Sequence, residues 1–145
     1  MIALAPLSPD NFESVVALKV CDDQSSFVAP NVLSIAQSKT WDYLVPAVVE
    51  KDGTPIGFAL YGKDPESHRV YIVRLMIDRA HQRKGHGTAA LGLLLVKLRE
   101  TYACKEIHVS VVPGNLGSER LFQSMGFIPT GELDEDGEVV FGRRI

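Results

Sequence analysis

A ten-residue segment in the middle of the chain concentrates groups that bind anions. Its sequence is Arg79-Ala80-His81-Gln82-Arg83-Lys84-Gly85-His86-Gly87-Thr88, and five of its first eight side chains are basic or titratable. Gly85 and Gly87 leave the neighbouring backbone N–H groups unobstructed. Where a helix begins at such a segment, its free N–H groups and the positive end of its dipole favour a phosphate or pyrophosphate. A solvated basic loop with a Gly-x-Gly turn and no ligand has the same composition. The flanking elements must therefore decide between an anion-binding site and a plain turn.

Two other phosphate-binding motifs compete for this segment. A P-loop needs Gly-x-x-x-x-Gly-Lys-Ser/Thr, and the chain has no such sequence. Gly85-x-Gly87-x-x-Ala90 satisfies a loose dinucleotide-binding fingerprint. That fingerprint begins directly after a strand within a doubly wound parallel sheet, whereas several polar residues intervene here. We therefore exclude the P-loop and disfavour the dinucleotide fingerprint.

The elements on either side of the segment support an anion site. Val70–Ile77 precedes it and is apolar on both faces apart from Arg74, which is typical of a central strand covered on both sides. After the segment, four leucines recur at the spacing of one helix face: Leu91, Leu94, Leu95 and Leu98. The segment therefore joins a central strand to the N-terminus of a helix.

The N-terminal part of the chain is predicted to hold one strand and two helices. Ile2–Leu7 alternates and is interrupted by proline, which is typical of a short edge strand. A helix is predicted from about residue 10, along a stripe of five positions: Phe12, Val15, Val16, Leu18 and Lys19. A shorter helix is predicted around Val32–Lys39. Cys21 and Cys104 are too far apart for a metal knuckle, so we interpret both as reduced and structural.

β-Branched and aromatic residues predict the remaining strands. Asp52-Gly53 is a turn dipeptide between Ala47–Val49 and Ile56–Tyr61, which predicts an antiparallel hairpin. Beyond the leucine-striped helix, the pattern predicts in order a strand, a helix ended by Gly126, a strand, a turn and a last strand: Ile107–Val112, Leu116–Met125, Phe127 onward, Glu135-Asp136-Gly137 and Val139–Arg143.

Composition restricts the class of function. The 145 residues suit one domain, residues 1–145, and 46% hydrophobic with 23% charged residues is ordinary globular composition. Fifteen Lys plus Arg against eighteen Asp plus Glu give a net charge of -3, so no positive field attracts nucleic acid or anionic lipid. The longest apolar run, Ala89–Val96, is too short to span a membrane, and the first six residues do not resemble a signal peptide. We expect a cytoplasmic protein.

Two motifs resemble those of the GNAT superfamily of acyl-CoA N-acyltransferases. Gln82-x-x-Gly85-x-Gly87 resembles the family's pyrophosphate loop, Q/R-x-x-G-x-G/A. Asn115–Phe122 followed by Met125-Gly126-Phe127 is similar to its second motif, an Asn-led helix that ends in Gly-Phe before the sixth strand. The resemblance covers nearly the whole chain. Three further segments are similar to those of bacterial spermine/spermidine acetyltransferases: Gln24–Asn31, Ser34–Ala36 and Arg74–Asp78.

The resemblance implies an α/β fold and a cosubstrate site. The expected fold is a mixed, mostly antiparallel seven-stranded sheet with four helices, in which the fourth and fifth strands splay apart around acetyl-CoA. The implied contacts with the acetyl and pantetheine part are Leu75, Met76 and Ile77, and those with the pyrophosphate are Gln82, Arg83, Lys84, Gly85, His86, Gly87 and Thr88. Asn115 is implied to bind pantetheine or simply to cap its helix, and Arg120 to meet a CoA phosphate or solvent. No metal is expected.

The sequence departs from the family pattern at Phe122. The family usually places a tyrosine seven residues after the motif's Asn, where it protonates the departing thiolate, and a phenyl ring has no proton to donate. The catalytic acid is therefore unknown. Ser118, Ser124 or water could supply the proton, and Phe122 could pack against the cofactor chain.

No single residue stands out as the base that deprotonates the amine. The candidates are Asp22 and Asp23 at the expected pocket mouth, Glu106 and His108 beside the fifth strand, and His81. The sequence favours an ordinary surface group at each of these positions, so none is named as the base. Asp22 and Asp23 are also candidates for binding the substrate. Arg74 is a further candidate for binding the substrate. A buried arginine needs a partner, which here is either an internal carboxylate or a carboxylate of the acceptor.

The leading hypothesis is an acetyl-CoA-dependent N-acetyltransferase for a small amine, with polyamines such as spermidine and spermine first among the acceptors. An amino acid, an aminoglycoside and a peptide amine are the alternative acceptors. A rival from another class is a non-catalytic acyl-CoA-binding module, which the missing tyrosine favours. The resemblance also implies a homodimer.

Overall fold

Seven strands form one mixed sheet in the computed structural model, which describes residues 1–145. The strands are β1 (Ile2–Pro6), β2 (Leu44–Lys51), β3 (Thr54–Lys63), β4 (Val70–Ile77), β5 (Glu106–Val111), β6 (Ile128–Leu133) and β7 (Val139–Arg144). The helices are α1 (Phe12–Ala17), α2 (Asn31–Thr40), α3 (His86–Tyr102) and α4 (Leu116–Ser124), with single 3₁₀ turns at Asp22–Gln24 and Arg79–His81. No helix combines the length and apolar character that crossing a membrane requires.

The strands lie in the order β1-β2-β3-β4-β5-β7-β6. Every neighbouring pair is antiparallel except β4 and β5, which are parallel and joined by α3. The predicted hairpin is present, and its turn places Asp52 and Gly53 at φ of 50° and 83°, the left-handed conformation that two-residue hairpin turns require. The predicted α/β fold with seven strands and four helices is confirmed.

Both faces of the central strands are covered. On one face α3 buries Leu91, Leu94 and Leu98, all 0% exposed, against β3, β4 and β5. The opposite face of β3 carries Phe58 and Leu60, which pack with α1 and its neighbouring segments. Because successive strand residues point to opposite faces, this double cover explains why Val70–Ile77 is apolar at almost every position.

The first helix is shorter than its apolar stripe predicts. It ends at Ala17, so Leu18 and Lys19 lie outside it. The backbone N–H of Lys19 donates to Asp78 Oδ1 at 2.9 Å, and the backbone N–H of Arg79 donates to the Lys19 carbonyl at 2.7 Å. These tertiary hydrogen bonds hold the chain extended across the end of β4, and helical hydrogen bonding stops there.

β4 and β5 separate after a short stretch of pairing. They pair only at Val70–Ile72, although β4 continues to Ile77. On the other side of β4, Leu60 pairs with Arg74 and Tyr61 pairs with Ile72, so Val73 is an extra residue in a β-bulge. A bulge bends its strand and increases the local twist. It lies where pairing with β5 ends, and the predicted splay is confirmed.

Candidate active site

Two adjoining clefts open where β4 and β5 separate. The first, here called the loop cleft, has a volume of about 390 Å³ and lies between the end of β4, the basic segment after it and the start of α4. The second, the turn cleft, has a volume of about 440 Å³ and lies between β4, β5, the segment before α2 and the β6–β7 turn. Four residues line both clefts: Val28, Leu75, Asn115 and Ser118. The clefts therefore meet, as a site for two reacting molecules requires.

Most of the residues predicted to bind the cosubstrate line the loop cleft. They are Leu75, Met76, Ile77, Gln82, Arg83, Gly85, His86, Gly87, Asn115 and Arg120. Three of the predicted set do not. Lys84 and Thr88 are exposed and do not line the cleft, and Phe122 lines the turn cleft instead.

Backbone conformation at Gly85 produces an open approach to the start of α3. Gly85 is the N-cap of the helix, with φ of +80°, and a Cβ at this position would meet no atom within 4 Å. The first N–H groups of a helix have no intrahelical partner. Arg83 and Arg120 add full positive charges to the same cleft. The arrangement suits an anionic group of pyrophosphate size.

Gln82 holds the segment in place through its side chain. Its Nε2 donates to the Ile77 carbonyl at 2.9 Å and to Gln24 Oε1 at 2.8 Å. Its Oε1 accepts a hydrogen bond from the Cys21 thiol at 3.6 Å. Gln82 therefore ties the end of β4 to the turn at Asp22–Gln24, and its amide shapes the cleft wall.

His86 contributes little positive charge at neutral pH. Loss of hydration, followed by the nearby charges of Lys51, Lys84 and His81, holds the pKa of His86 below its usual value of 6.5. Its Nε2 atom has no hydrogen-bond partner. The permanent positive charges of the loop cleft are those of Arg83 and Arg120.

Asn115 is the N-cap of α4. Its Oδ1 accepts from the Ser118 backbone N–H at 3.3 Å, and its Nδ2 donates to Ser118 Oγ at 2.9 Å. The Ser118 hydroxyl proton stays free to donate at the junction of the two clefts. Ser124 lies outside both clefts, with its hydroxyl bonded to the Leu121 carbonyl at 2.7 Å.

The turn cleft has an acidic wall that the sequence analysis missed. Asp136 and Glu138 line it from the β6–β7 turn. Asp134 Oδ1 accepts from the backbone N–H groups of both residues at 2.9 Å, and the three carboxylates lie within 4.8 Å of one another. Burial and the two neighbouring aspartates raise the pKa of Glu138 above its usual range.

Arg74 lines the turn cleft opposite this wall. It is half-buried, and burial lowers the pKa of its guanidinium. Nη1 donates to the Val73 carbonyl at 3.1 Å and Nη2 to Gln37 Oε1 at 3.4 Å. The ion pairs of the chain within 4.0 Å involve other residues. The internal carboxylate that was one of two expected partners is therefore absent at ion-pair distance.

Comparison with known proteins identifies the family. The profile of the Acetyltransferase (GNAT) family matches residues 15–127. The chain belongs to the GNAT acetyltransferase family. It is 33% identical to the spermine/spermidine N(1)-acetyltransferase of Bacillus subtilis (strain 168) over 150 residues, which cover 99% of each protein. This confirms both the family resemblance and the finer similarity to bacterial spermine/spermidine acetyltransferases.

Other acetyltransferases are similar over part of the sequence or in fold. An L-2,4-diaminobutyric acid acetyltransferase of Streptomyces avermitilis is 31% identical over 91 residues, which cover 62% of this chain and 50% of that protein. A crystal structure of an aminoglycoside acetyltransferase in complex with coenzyme A aligns with a TM-score of 0.81 at 15% identity, covering 99% and 95% of the two chains. The PaiA N-acetyltransferase of Thermoplasma acidophilum, also in complex with coenzyme A, aligns with a TM-score of 0.73 at 15% identity over 100% and 99%.

Phe122 is the residue that the motif resemblance places where the family usually carries an acid tyrosine. Its ring is 5% exposed and packs edge to face on Phe127, with the ring centroids 5.3 Å apart. The ring thus forms an apolar part of the turn-cleft wall. Among the hydroxyl groups considered from sequence, Ser118 is the one that both clefts contain.

The candidate bases of this GNAT member are scattered over the structure. His81 lines the loop cleft. Asp22 lines a smaller pocket beside α1 that shares Val28 with both clefts, and Asp23 is exposed and does not line it. Glu106 and His108 lie at the start of β5, whereas the clefts open at its other end. Their Nε2–Oε1 distance is 2.8 Å, and they line a pocket of their own.

His108 should make the protein less stable in mild acid. Its ring is buried, and loss of hydration together with Arg69 lowers its pKa below 6.5, against the opposing attraction of Glu106. The unfolded chain therefore takes up this proton first as the pH falls. The contribution of neutral His108 to the free energy of unfolding is complete above about pH 6.5. Below that pH the free energy of unfolding decreases, by at most about 1.4 kcal/mol per pH unit. Urea unfolding between pH 7.5 and 5.5 should show a shallower loss for His108→Gln, and an unchanged slope would contradict this assignment.

Proposed function

We propose that the protein transfers the acetyl group of acetyl-CoA to a primary amine of a small aliphatic acceptor that carries at least one further ammonium group. Polyamines such as spermidine and spermine are the first members of this class to test. One observation carries the proposal: a basic cleft and an acidic cleft meet at Leu75 in the splay between β4 and β5. A site of this kind binds an anionic and a cationic molecule end to end.

The loop cleft suits the cosubstrate. The backbone of Leu75, Met76 and Ile77 has no strand partner on the β5 side, so it can bond the pantetheine part and the acetyl carbonyl. The backbone of Arg83–Thr88 at the start of α3 would bind the pyrophosphate, and Arg120 would meet a CoA phosphate. An N–H group at the splay would also stabilise the oxyanion of the tetrahedral intermediate.

The reaction joins nitrogen to the acetyl carbon and breaks the carbon–sulfur bond. The neutral amine attacks the thioester carbonyl, the tetrahedral intermediate expels the CoA thiolate, and the nitrogen loses its proton. An alkyl ammonium has a pKa of about 10.4, so about one molecule in 10³ is nucleophilic at pH 7. The residues shared by the two clefts include no titratable side chain, so we propose that water in the open clefts carries the surplus proton to solvent.

The acidic wall suits the acceptor's second ammonium. Spermine, spermidine and 2,4-diaminobutyric acid, which appear in the names of similar proteins, all carry two or more amino groups on a short aliphatic chain. Asp136 and Glu138 would bind the amino group that does not react. Hydrogen bonds to charged groups contribute about 1.5–3 kcal/mol each, enough to select a diamine over a monoamine.

A substrate panel tests the proposal. Purified protein with acetyl-CoA would be offered polyamines, diamino acids, monoamines, an aminoglycoside and a peptide amine, with thiol release as the rate and product mass as the identity of the acylated nitrogen. We expect turnover with acceptors that carry two amino groups, and at least about tenfold lower kcat/KM with monoamines of equal length. The rival acyl-CoA-binding module predicts tight acetyl-CoA binding with no transfer to any amine.

Phe122→Tyr measures how much the missing acid matters. A general acid typically contributes 10²–10⁴-fold, whereas a thiol with a pKa of about 8.5 departs tolerably as thiolate. Because Ser118 supplies a hydroxyl at the cleft junction, we expect Phe122→Tyr to change kcat by less than about tenfold. Calorimetry of acetyl-CoA binding serves as the control for folding and affinity. An increase beyond tenfold would mean that thiolate departure limits the natural enzyme.

We also propose that the chain acts as one cytoplasmic acetyltransferase domain and forms a homodimer. The family match over residues 15–127 and the 99% coverage of the Bacillus relative support one domain. Analytical ultracentrifugation at micromolar concentration would give the mass directly. A single species of 15.9 kDa, the mass of one chain, would reject the dimer.

A further inference from the structure

Arg74 is a cation in a cleft that otherwise suits a cation. The guanidinium faces the same space as Asp136 and Glu138, and none of their oxygens approaches it within 4.0 Å. A half-buried charge without a close counterion is costly unless something compensates it. An acceptor with ammonium groups alone would add positive charge beside it. The charges of Glu138 and Asp136 offset part of the cost of burying the guanidinium, but neither carboxylate forms an ion pair with it. The N–H donors of Arg74 are therefore left without a charged partner.

The guanidinium is held in one orientation by neutral groups. It donates to the carbonyl of Val73, the bulge residue, and to the side chain of Gln37 on α2. A guanidinium has five N–H donors in a fixed plane, so three remain for another partner. A fixed fork of donors matches both oxygens of a carboxylate, and a flexible ammonium does not.

We infer that Arg74 binds a carboxylate of the acceptor and that the preferred acceptor is a diamino acid, acetylated on one of its amines. This inference rests on the proposed acetyl transfer and narrows its substrate class. Arg74 lines the cleft that shares Asn115 and Ser118 with the loop cleft, so a carboxylate bound at Arg74 keeps the rest of a short acceptor near the junction proposed for transfer. A zwitterion satisfies the guanidinium and the carboxylates of the cleft together.

Matched pairs of acceptors measure the contribution of the acceptor's carboxylate to kcat/KM. L-2,4-Diaminobutyrate and 1,3-diaminopropane differ only in that group, as do L-ornithine and putrescine. With the wild-type protein, kcat/KM should be at least about tenfold higher for each diamino acid than for its diamine. The methyl esters, which keep both amines and lose the negative charge, should behave like the diamines.

Arg74→Gln should remove this preference. Its kcat/KM for the diamino acids should fall at least about tenfold, mainly through KM, while the values for the diamines stay the same or rise. Arg99→Gln is the matched control, because Arg99 is an exposed arginine on α3 and lines neither cleft. Arg74→Lys keeps the charge and loses the fork, so it should retain an intermediate preference.

Each outcome separates the inference from the proposed function. Efficient acetylation of spermidine and the diamines, with less than threefold preference for the diamino acids, would overturn the inference and leave the proposed function standing. Loss of thermal stability in Arg74→Gln with an unchanged preference would also overturn it, because Arg74 would then be structural. Failure to acetylate any amine would overturn both. If Arg74→Gln does not fold, the comparison of diamino acids, their methyl esters and the diamines with the wild-type protein still tests whether the acceptor's carboxylate is recognised.

Discussion

Gly85→Glu should weaken acetyl-CoA binding by at least about 100-fold. The substitution places a carboxylate at the start of α3, in the cleft proposed for the pyrophosphate, and juxtaposed like charges cost several kcal/mol. It also forces a side chain into φ of +80°, a conformation that L residues rarely adopt. Isothermal calorimetry with acetyl-CoA would measure the dissociation constant, and circular dichroism would confirm that the variant is folded.

Two other glycines separate charge repulsion from backbone strain. Gly53→Glu introduces the same side chain at φ of +83° with equally open space, but in the β2–β3 turn, so it should lose stability and keep its affinity. At Gly87 a Cβ would make ordinary contacts of 3.7 Å with Leu121 and 3.9 Å with Ile77. Gly87→Ala should therefore change affinity by less than about threefold. If folded Gly85→Glu binds acetyl-CoA with unchanged affinity, the assignment of the cosubstrate to this cleft is wrong.

The elements that frame the site follow directly from hydrophobic periodicity. Val70–Ile77 is apolar on both faces because helices cover both faces of β4, and the four leucines of α3 are the residues that make one of these contacts. Such patterns reflect burial, which dominates the free energy of folding. The order of strand, basic segment and helix was therefore available from sequence, and with it the loop cleft.

Local patterns do not show where an element ends when tertiary hydrogen bonds compete. The stripe through Lys19 is a valid helical pattern, yet the backbone of Lys19 bonds to Asp78 and Arg79 from the end of β4. Val73 likewise looks like any other strand residue. Its role as a bulge depends on the register between Leu60 and Arg74, a relation between distant residues that no window of one sequence contains.

The acidic wall was missed because it depends on sheet order. Four of the five residues in Asp134–Glu138 are acidic, and a charged turn between two strands ordinarily faces solvent. Here β7 pairs antiparallel with β5, with Val139 opposite Val111, so the turn before β7 lies beside the end of β5 where the splay opens. Once that pairing is assumed, the sequence does place these carboxylates at the turn cleft.

Removing both carboxylates of the acidic wall should impair acceptor binding selectively. Asp136→Asn with Glu138→Gln should lower kcat/KM for acceptors that carry two amino groups by about 10–100-fold, because each lost charged hydrogen bond contributes about 1.5–3 kcal/mol and part of that is screened at the exposed Asp136. The effect should appear mainly in KM for the amine. Initial rates at saturating acetyl-CoA, with amine concentration varied, would measure it.

The same measurement separates a role in binding from a general loss of function. Glu135→Gln is the matched control: it removes one charge from the same turn at an exposed residue that lines neither cleft, so its kcat/KM should stay within about twofold of wild type. Monoamines, which have no second ammonium, should lose far less than diamines in the double variant. Affinity for acetyl-CoA should be unchanged, because its cleft contains neither carboxylate. An equal loss for monoamines and diamines would instead indicate that Glu138 moves the proton of the reacting amine, since that step is common to every acceptor.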